Sequence, residues 1–98
     1  MDKLEKTLSA SEPTLVAFIH AAESNAVDVK YILEELKKQY DGRARVIRVD
    51  SSYNRPVIER YKLSEYPTFI LFKEGQELMR ESGEKTVGEL AQLIDRAL

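Results

Sequence analysis

Residues that could take part in chemistry are concentrated between His20 and Asn25, directly after an apolar run. His20 is the only histidine of the 98-residue chain, and Ser24 supplies a hydroxyl group four positions later. A serine hydrolase also needs an acid that orients the histidine and donors that stabilise an oxyanion. Neither is evident in the sequence, so we interpret His20 as a residue at the rim of a sheet. A non-thiol enzyme that uses His20 remains an alternative function.

A second group of residues that bears on function consists of the tyrosines. Tyrosine often anchors protein interfaces because it combines a broad apolar ring with a hydroxyl group that can stay hydrated. Tyr40 and Tyr61 fall at the ends of predicted helices, where we expect half-burial. Tyr53 and Tyr66 are therefore the candidates for exposed contact residues.

The sequence has no pattern typical of a metal, phosphate or nucleic-acid site. One histidine and no cysteine do not supply the set of nitrogen and sulfur ligands typical of a zinc site, and no glycine-rich loop with its lysine is present to hold a phosphate. Arg43, Arg45 and Arg48 form a locally basic strand, but no aromatic residue lies among them to stack on a base. We therefore expect no cofactor, no metal and no nucleic-acid partner.

The composition is that of a globular domain. The chain is 43% hydrophobic and 33% charged, with a formal net charge of −2, so it has no large field of one sign that would recruit a polyanion or a membrane surface. Its length suits one domain, residues 1–98. We expect no membrane partner and a cytoplasmic location, because no apolar run is long enough to span a bilayer and the first residues do not resemble a signal peptide. The composition leaves the oligomeric state open.

Apolar periodicity predicts the order helix, strand, helix, strand, helix, strand, strand, helix. The predicted elements are helices at 2–9, 26–40 and 54–62, strands at 15–20, 44–50, 68–73 and 76–82, and a final helix that begins after residue 86. The strand at 15–20 is apolar throughout, which indicates a central strand. Glu74-Gly75 is typical of a tight turn and makes the last two strands antiparallel neighbours. The pattern predicts a mixed sheet between two helical layers, a three-layer α/β/α sandwich.

Capping residues mark the last two helices. Asn54, with Pro56 in the first turn, is typical of a helix start. Thr86 and Glu89 have the spacing of a capping box. The expected buried stripe of the final helix consists of Val87, Leu90, Ala91, Ile94, Ala97 and Leu98.

Two stretches carry a resemblance to a known family. The first is the strand that ends in Ala17-Phe18 together with the helix that contains Ile32-Leu33-Glu34-Glu35-Leu36, and the second is Tyr66-Pro67-Thr68 followed by Phe69-Ile70-Leu71-Phe72-Lys73. With the order of the elements, these stretches make the chain resemble thioredoxin over nearly its whole length. The resemblance implies a thioredoxin-like fold. That family usually has one further strand before the first helix, and this sequence lacks a full one.

The resemblance also implies that the family's thiol chemistry is lost. It aligns Glu23, Ser24, Asn25 and Ala26 with the CxxC motif, the family's preceding aromatic residue with Ala22, and its buried acid with Ala17. Disulfide exchange needs a thiolate and a resolving thiol. We therefore predict a redox-inactive member without thiol-disulfide oxidoreductase activity. Glu23 is not what replacement of cysteines by serine or alanine would leave, which favours a natural relative over a laboratory variant.

What the resemblance leaves in place is a binding surface. In the family, the proline that matches Pro67 follows a cis peptide bond, and the residue before it, here Tyr66, offers its backbone to an extended client peptide. The predicted peptide-binding residues are Tyr66, Pro67, Ala22 and Asn25, and the expected partner is a protein or peptide bound by an interaction or chaperone-like module. A scaffold whose working surface lies elsewhere, or a purely structural subunit, remains open. Ser24 or Asn25 can also serve simply as the cap of the following helix.

Overall fold

The computed structural model describes residues 3–22 and 26–98. It contains every predicted element, each with bounds within one residue of the prediction. In chain order they are α1 (Lys3–Leu8), β1 (Thr14–Ile19), α2 (Ala26–Gln39), β2 (Arg45–Asp50), α3 (Arg55–Tyr61), β3 (Thr68–Lys73), β4 (Gln76–Ser82) and α4 (Val87–Ala97). Short helices and strands alternate in this chain because the apolar period changes at each turn or cap.

The four strands of the described residues form one mixed sheet in the order β2-β1-β3-β4. β1 pairs with β2 in parallel and with β3 in antiparallel orientation, and β3 pairs with β4 in antiparallel orientation. All six residues of β1 are buried, as expected for a central strand covered on both faces. The predicted mixed sheet and the central position of β1 are confirmed.

Side chains alternate along β1 and so divide the core into two layers. Leu15 and Ala17 belong to a cluster with the buried residues of α2 and α4. Val16 and Phe18 belong to a second cluster on the opposite face, which α1 and α3 cover. The helices thus lie on both faces of the sheet, and the predicted α/β/α sandwich is confirmed.

Tyr40 and Tyr61 are buried rather than half-buried, with 1% and 8% of their surface exposed. The ring of Tyr61 lies 5.0 Å from that of Phe18 and 5.9 Å from that of Phe72, measured between centroids. The expectation of half-burial was wrong because it considered only the ends of the two helices. Aromatic and helical partners that are distant in the sequence cover both rings.

The hydroxyl group of Tyr40 connects α2 to α4. It donates to Asp95 Oδ1 at 2.6 Å and lies 3.0 Å from the carbonyl oxygen of Ala91. Burial, followed by the hydrogen bond to Asp95, raises the pKa of Tyr40 to about 12. The neutral phenol is therefore the form that this contact favours.

The capping predictions for α3 and α4 are confirmed. The Asn54 side chain accepts from the N–H of Val57 at 3.3 Å. Thr86 accepts from the N–H of Glu89, and the Glu89 carboxylate accepts from the N–H of Thr86, which completes the capping box. These bonds satisfy amide groups that have no partner within the first turn of a helix.

The buried stripe of α4 differs from the prediction at Leu93 and Leu98, and Val87 is only partly buried against the core. Leu98 is 53% exposed, and Leu93, which we did not predict to be buried, is 7% exposed. Leu93 lies three residues after Leu90 and therefore belongs to the same face of the helix. Leu98 lies beyond the last helical residue, so the helical period does not direct its side chain.

None of the helices within residues 3–22 and 26–98 combines the length and the apolar composition that crossing a bilayer requires.

Candidate functional site

Four loops meet at one end of the sheet. Ile19 pairs with Asp50, and Thr68 pairs with both Phe18 and Ser82. The segments beyond these residues, 20–22, 51–54, 62–67 and 83–86, are therefore close together. We call this region the site end. Of the residues predicted from the sequence, His20, Ala22, Tyr66 and Pro67 all lie here.

The Tyr66–Pro67 peptide bond at the site end is cis. Pro67 is buried, and its carbonyl oxygen accepts from the N–H of Gly83 at 2.9 Å. The hydroxyl group of Thr68 donates to the carbonyl oxygen of Glu65 at 2.6 Å. Gly83 has a φ of +89°, a conformation that suits glycine because it has no Cβ. The segment around Pro67 is thus held from both sides.

The backbone of Tyr66 is open to an additional partner. Its side chain is partly exposed, and no residue in the described ranges donates to its carbonyl oxygen or accepts from its N–H. A backbone donor and acceptor at an exposed position favour pairing with an extended peptide. This is the chemical capability that the site end offers most clearly.

His20 contacts Tyr66 directly. The two rings are 5.6 Å apart between centroids and cross at 61°, an edge-to-face arrangement. His20 Nδ1 accepts from the N–H of Ala22 at 3.3 Å. In a Ser-His-acid triad the same nitrogen donates to the acid. His20 is therefore arranged to support Tyr66 and the following loop rather than to act as the base of such a triad.

Two serines tie the loop at 20–22 to the end of β2. The N–H and the hydroxyl group of Ser51 each donate to the carbonyl oxygen of Ile19 at 2.8 Å. The hydroxyl group of Ser52 accepts from the N–H of Ala21 at 3.0 Å. These bonds hold the exposed Ala21, and the bond from Ala22 to His20 holds the next residue.

Ser52 also stabilises the negative charge of Asp50 at this end of the sheet. Its N–H donates to Asp50 Oδ1 at 2.9 Å. Hydrogen bonds from its hydroxyl group and its backbone hold the pKa of Asp50 below the usual range, because both favour the carboxylate. The next residue, Tyr53, is fully exposed and has a φ of +58°. It presents an uncovered aromatic ring beside the loop at 20–22.

The segment that aligns with the CxxC motif is described only in part. Glu23, Ser24 and Asn25 lie outside the described residues, so their predicted roles as degenerate motif, helix cap or binding residue have no structural description here. Ala26 is the first residue of α2. Ala17, at the position that the resemblance assigns to a buried acid, is completely buried in the centre of β1.

A cavity of about 390 Å³ adjoins the site end. Val29, Ile32 and Phe69 form its apolar lining, and Asp28, Glu84, Lys85 and Thr86 complete it. Residues 84–86 follow Gly83, which binds Pro67, so the cavity lies close to the cis peptide bond. The sequence analysis did not predict this cavity. Its lining comes from a helix, a strand and a loop that are far apart in the chain, and no local pattern reveals it.

The thioredoxin family model matches residues 2–96. This chain belongs to the thioredoxin family. Thioredoxins of Staphylococcus aureus strains Mu50 / ATCC 700699 and MW2 are each 33% identical to it over 67 residues, which is 68% of this chain. The chain spans 64% of the length of these curated relatives.

A solved structure supports the fold independently. The crystal structure of a designed protein matches this thioredoxin-family chain with a TM-score of 0.85 and 21% sequence identity, over 96% of this chain and 83% of the designed one. At this identity the likeness concerns the fold alone. The predicted thioredoxin-like fold is confirmed.

The thioredoxin-family domain described here lacks the CxxC motif. Disulfide exchange needs a thiolate that attacks and a second thiol that resolves the mixed disulfide, and none of the 98 residues is a cysteine. The predictions that the chain belongs to this family and that it lacks the family's redox motif are both confirmed. Among the described residues, no group of three or more acidic or histidine side chains is placed to hold a metal ion.

Proposed function

We propose that this domain binds an extended peptide segment of a partner protein at the site end, as an interaction or chaperone-like module without thiol chemistry. The observation that carries the proposal is the open backbone of Tyr66 next to the fixed Pro67. A peptide that pairs with this backbone gains main-chain hydrogen bonds whatever its sequence, and its side chains then contact the surrounding surface.

Three features around Tyr66 suit such a peptide. The rings of Tyr66 and Tyr53 offer apolar contact area with a hydroxyl group that can stay hydrated. Ala22 is exposed and small, so it leaves room for a peptide to cross the loop. Hydrogen bonds hold the loops at 20–22 and 51–54 together, which reduces the entropy lost when a peptide binds.

The contacts of His20 favour the binding function over the alternative enzyme. Its Nδ1 is engaged as an acceptor with the N–H of Ala22, and its ring packs against Tyr66. Both contacts support the proposal that His20 holds Tyr66 and the loop at 20–22 in position for a peptide. A general base also needs an orienting group. The Asp50 carboxylate interacts with His20 through its charge, but it accepts from the N–H of Ser52, and no hydrogen bond joins it to His20 within the described residues.

The proposal can be tested with a displayed library of random peptides. We expect selected peptides to shift the backbone amide resonance of Tyr66 and to lose about tenfold or more in affinity in the Tyr66→Ala variant, the loss typical of an aromatic anchor. The matched control is Tyr31→Ala, because Tyr31 is a 64% exposed tyrosine of α2 outside the site end.

The outcomes separate three possibilities. Loss of binding in Tyr66→Ala with retention in Tyr31→Ala supports the site end. Equal binding to both variants and to the wild type places the working surface elsewhere. If the folded wild-type domain selects no peptide, the domain is better regarded as a structural scaffold.

A further inference from the structure

β2 forms one edge of the sheet, and its only strand neighbour within the described ranges is β1. At the start of β2 the N–H of Arg45 donates to the carbonyl oxygen of Pro13 at 2.8 Å. Directly after the end of β2 the N–H of Ser51 donates to the carbonyl oxygen of Ile19, also at 2.8 Å. The β1–β2 pairing between these bonds contains no shift in register. The direction of every backbone group along β2 follows from these two bonds.

Backbone groups in a strand point alternately to its two sides. Because the N–H groups of Arg45 and Ser51 point towards β1, those of Val46, Arg48 and Asp50 point away from the sheet. No described residue bonds to these outward N–H groups. The outer edge of β2 therefore presents a row of three free donors with their neighbouring acceptors, which is a template for an added strand.

One face of this edge is apolar. Ile47 and Val49 are β-branched, only partly buried, and pack against the core cluster on the α1 and α3 side of the sheet. Apolar side chains of an added strand would contact them as cross-strand neighbours and remove their remaining surface from water.

The opposite face of the same edge is basic. Arg48 of β2 lines a small cavity of about 120 Å³ with Lys30 and Lys37 of α2, above the buried Leu33. Glu34 is the one carboxylate in this lining. The three cations are exposed, and none forms an ion pair with a described residue. Asp50 lies two positions after Arg48, on the same face of β2, and adds a second carboxylate at the end of the strand, where it accepts from the N–H of Ser52. Around Arg48 an added strand still meets three cations and one carboxylate.

The other edge of the sheet is less suited to strand addition. The pairing of β4 with β3 contains a register shift at Leu71 and Phe72, and irregularities of this kind interrupt the row of edge donors. β4 also carries Arg80 paired with Glu77 along its exposed surface. The free, regular edge is that of β2.

We propose that the outer edge of β2 binds an extended segment of a partner protein in which acidic residues alternate with apolar ones. The apolar side chains cover Ile47 and Val49, the acidic side chains lie beside Lys30, Lys37 and Arg48, and the backbone pairs with Val46, Arg48 and Asp50. A second copy of this chain is a poor occupant, because two-fold pairing of β2 with itself brings two clusters of cations together. The proposal is independent of peptide binding at the site end.

Amide hydrogen exchange of the wild-type domain provides the test. The probes are a capped nine-residue peptide that alternates glutamate with valine and a matched peptide that alternates lysine with valine. In the free domain we expect fast exchange at the outward amides of Val46, Arg48 and Asp50, and protection at Ile47 and Val49. Saturating glutamate peptide should slow exchange at the three outward amides by about tenfold or more, whereas the lysine peptide should not.

Two pairs of variants separate charge from backbone pairing. Lys37→Glu should weaken binding of the glutamate peptide by about tenfold, whereas Lys38→Glu, the same change at the adjacent exposed residue, should have a much smaller effect. Arg48→Pro and Arg48→Gln remove the same charge, but only proline removes the outward N–H, and proline is tolerated at such edge positions. Arg48→Pro should therefore bind more weakly than Arg48→Gln.

Several results would overturn the proposal. Equal protection by the two peptides would show that charge does not select the partner. Protection at the outward amides of the free domain, together with a dimeric mass, would identify a second copy as the occupant. Protection confined to Tyr66 would show that the glutamate peptide binds at the site end instead. If no peptide binds at the site end, the amides of β2 still report on this proposal separately. If Arg48→Pro does not fold, the wild-type exchange experiment still decides.

Discussion

At the scale of single residues, the contact between His20 and Tyr66 joins two loops of the site end. The edge-to-face arrangement of the two rings fixes the orientation of the tyrosine that flanks the cis peptide bond. The same histidine accepts from the N–H of Ala22. One side chain therefore contacts both Tyr66 and the loop at 20–22, which agrees with the proposed supporting role of His20.

Replacement of His20 tests this supporting role. In His20→Ala we expect affinity for a peptide bound at the site end to fall about three- to tenfold, because aromatic pairs of this kind contribute about 0.5–1.5 kcal/mol. Titration of a selected peptide, followed by the Tyr66 amide resonance, measures the change. His20→Phe retains a ring and should recover part of the affinity. Unchanged affinity in His20→Ala would contradict the supporting role.

At the scale of elements, a complete capping box defines the start of α4. The reciprocal bonds between Thr86 and Glu89 satisfy two amide groups at the helix start. Backbone and side-chain hydrogen bonds with Thr86 hold the pKa of Glu89 below its usual range. Residues 84–86 also line the cavity of about 390 Å³, so the cap helps to position one wall of that cavity.

Loss of this cap should have a measurable cost. We expect Thr86→Ala to lower the free energy of unfolding by about 1 kcal/mol, the usual contribution of a threonine cap. Equilibrium denaturation in urea measures the change. Thr7→Ala is a suitable control, because the hydroxyl group of Thr7 bonds only to the backbone of its own helix, α1, through the carbonyl oxygen of Lys3. A loss as large in the control would show that the capping box has no special role.

At the scale of the whole molecule, the buried contact between Tyr40 and Asp95 joins the first long helix to the last. Tyr40 directly follows α2. Its hydroxyl group contacts Ala91 and Asp95 of α4, which lie 51 and 55 positions further along the chain. Its phenol is the described group whose pKa is raised most clearly, to about 12. The hydrogen bond that connects α2 to α4 therefore depends on pH.

The sign of this pH dependence follows from the direction of the shift. The ordinary pKa of tyrosine is near 10, and that of Tyr40 in the folded domain is about 12. Folding thus favours the protonated phenol, and this contribution to stability is complete below about pH 10 and is lost as the pH rises towards 12. We expect the free energy of unfolding to decline over that interval.

The matched variant for this prediction is Tyr40→Phe. It should lower the free energy of unfolding at neutral pH by about 1–2 kcal/mol, because the hydrogen bond to Asp95 is lost. It should also flatten the decline between pH 10 and 12. Chemical denaturation of both proteins at pH 8, 10 and 11 measures these effects. An equal decline in the variant would assign the pH dependence to other groups.

The sequence alone determined the elements of this domain, because the signals that define them are local. The apolar run of β1, the cap at Asn54, the capping box at Thr86 and the turn at Gly75 each act within a few residues, so their outcome does not depend on the rest of the chain. Composition also determined that the 98 residues hold no thiol. The fold and the missing CxxC motif could be read at this level.

Only the tertiary structure decided which groups at the site end are free. Three features depend on segments that are distant in the chain. They are the contact of His20 with Tyr66, the burial of Tyr61 and the cavity of about 390 Å³ that Glu84 lines. The free edge of β2 depends on which strands become its neighbours. The physical reason is the same in each case: exposure and unpaired hydrogen-bonding groups are what remains after packing, and packing is a property of the whole chain.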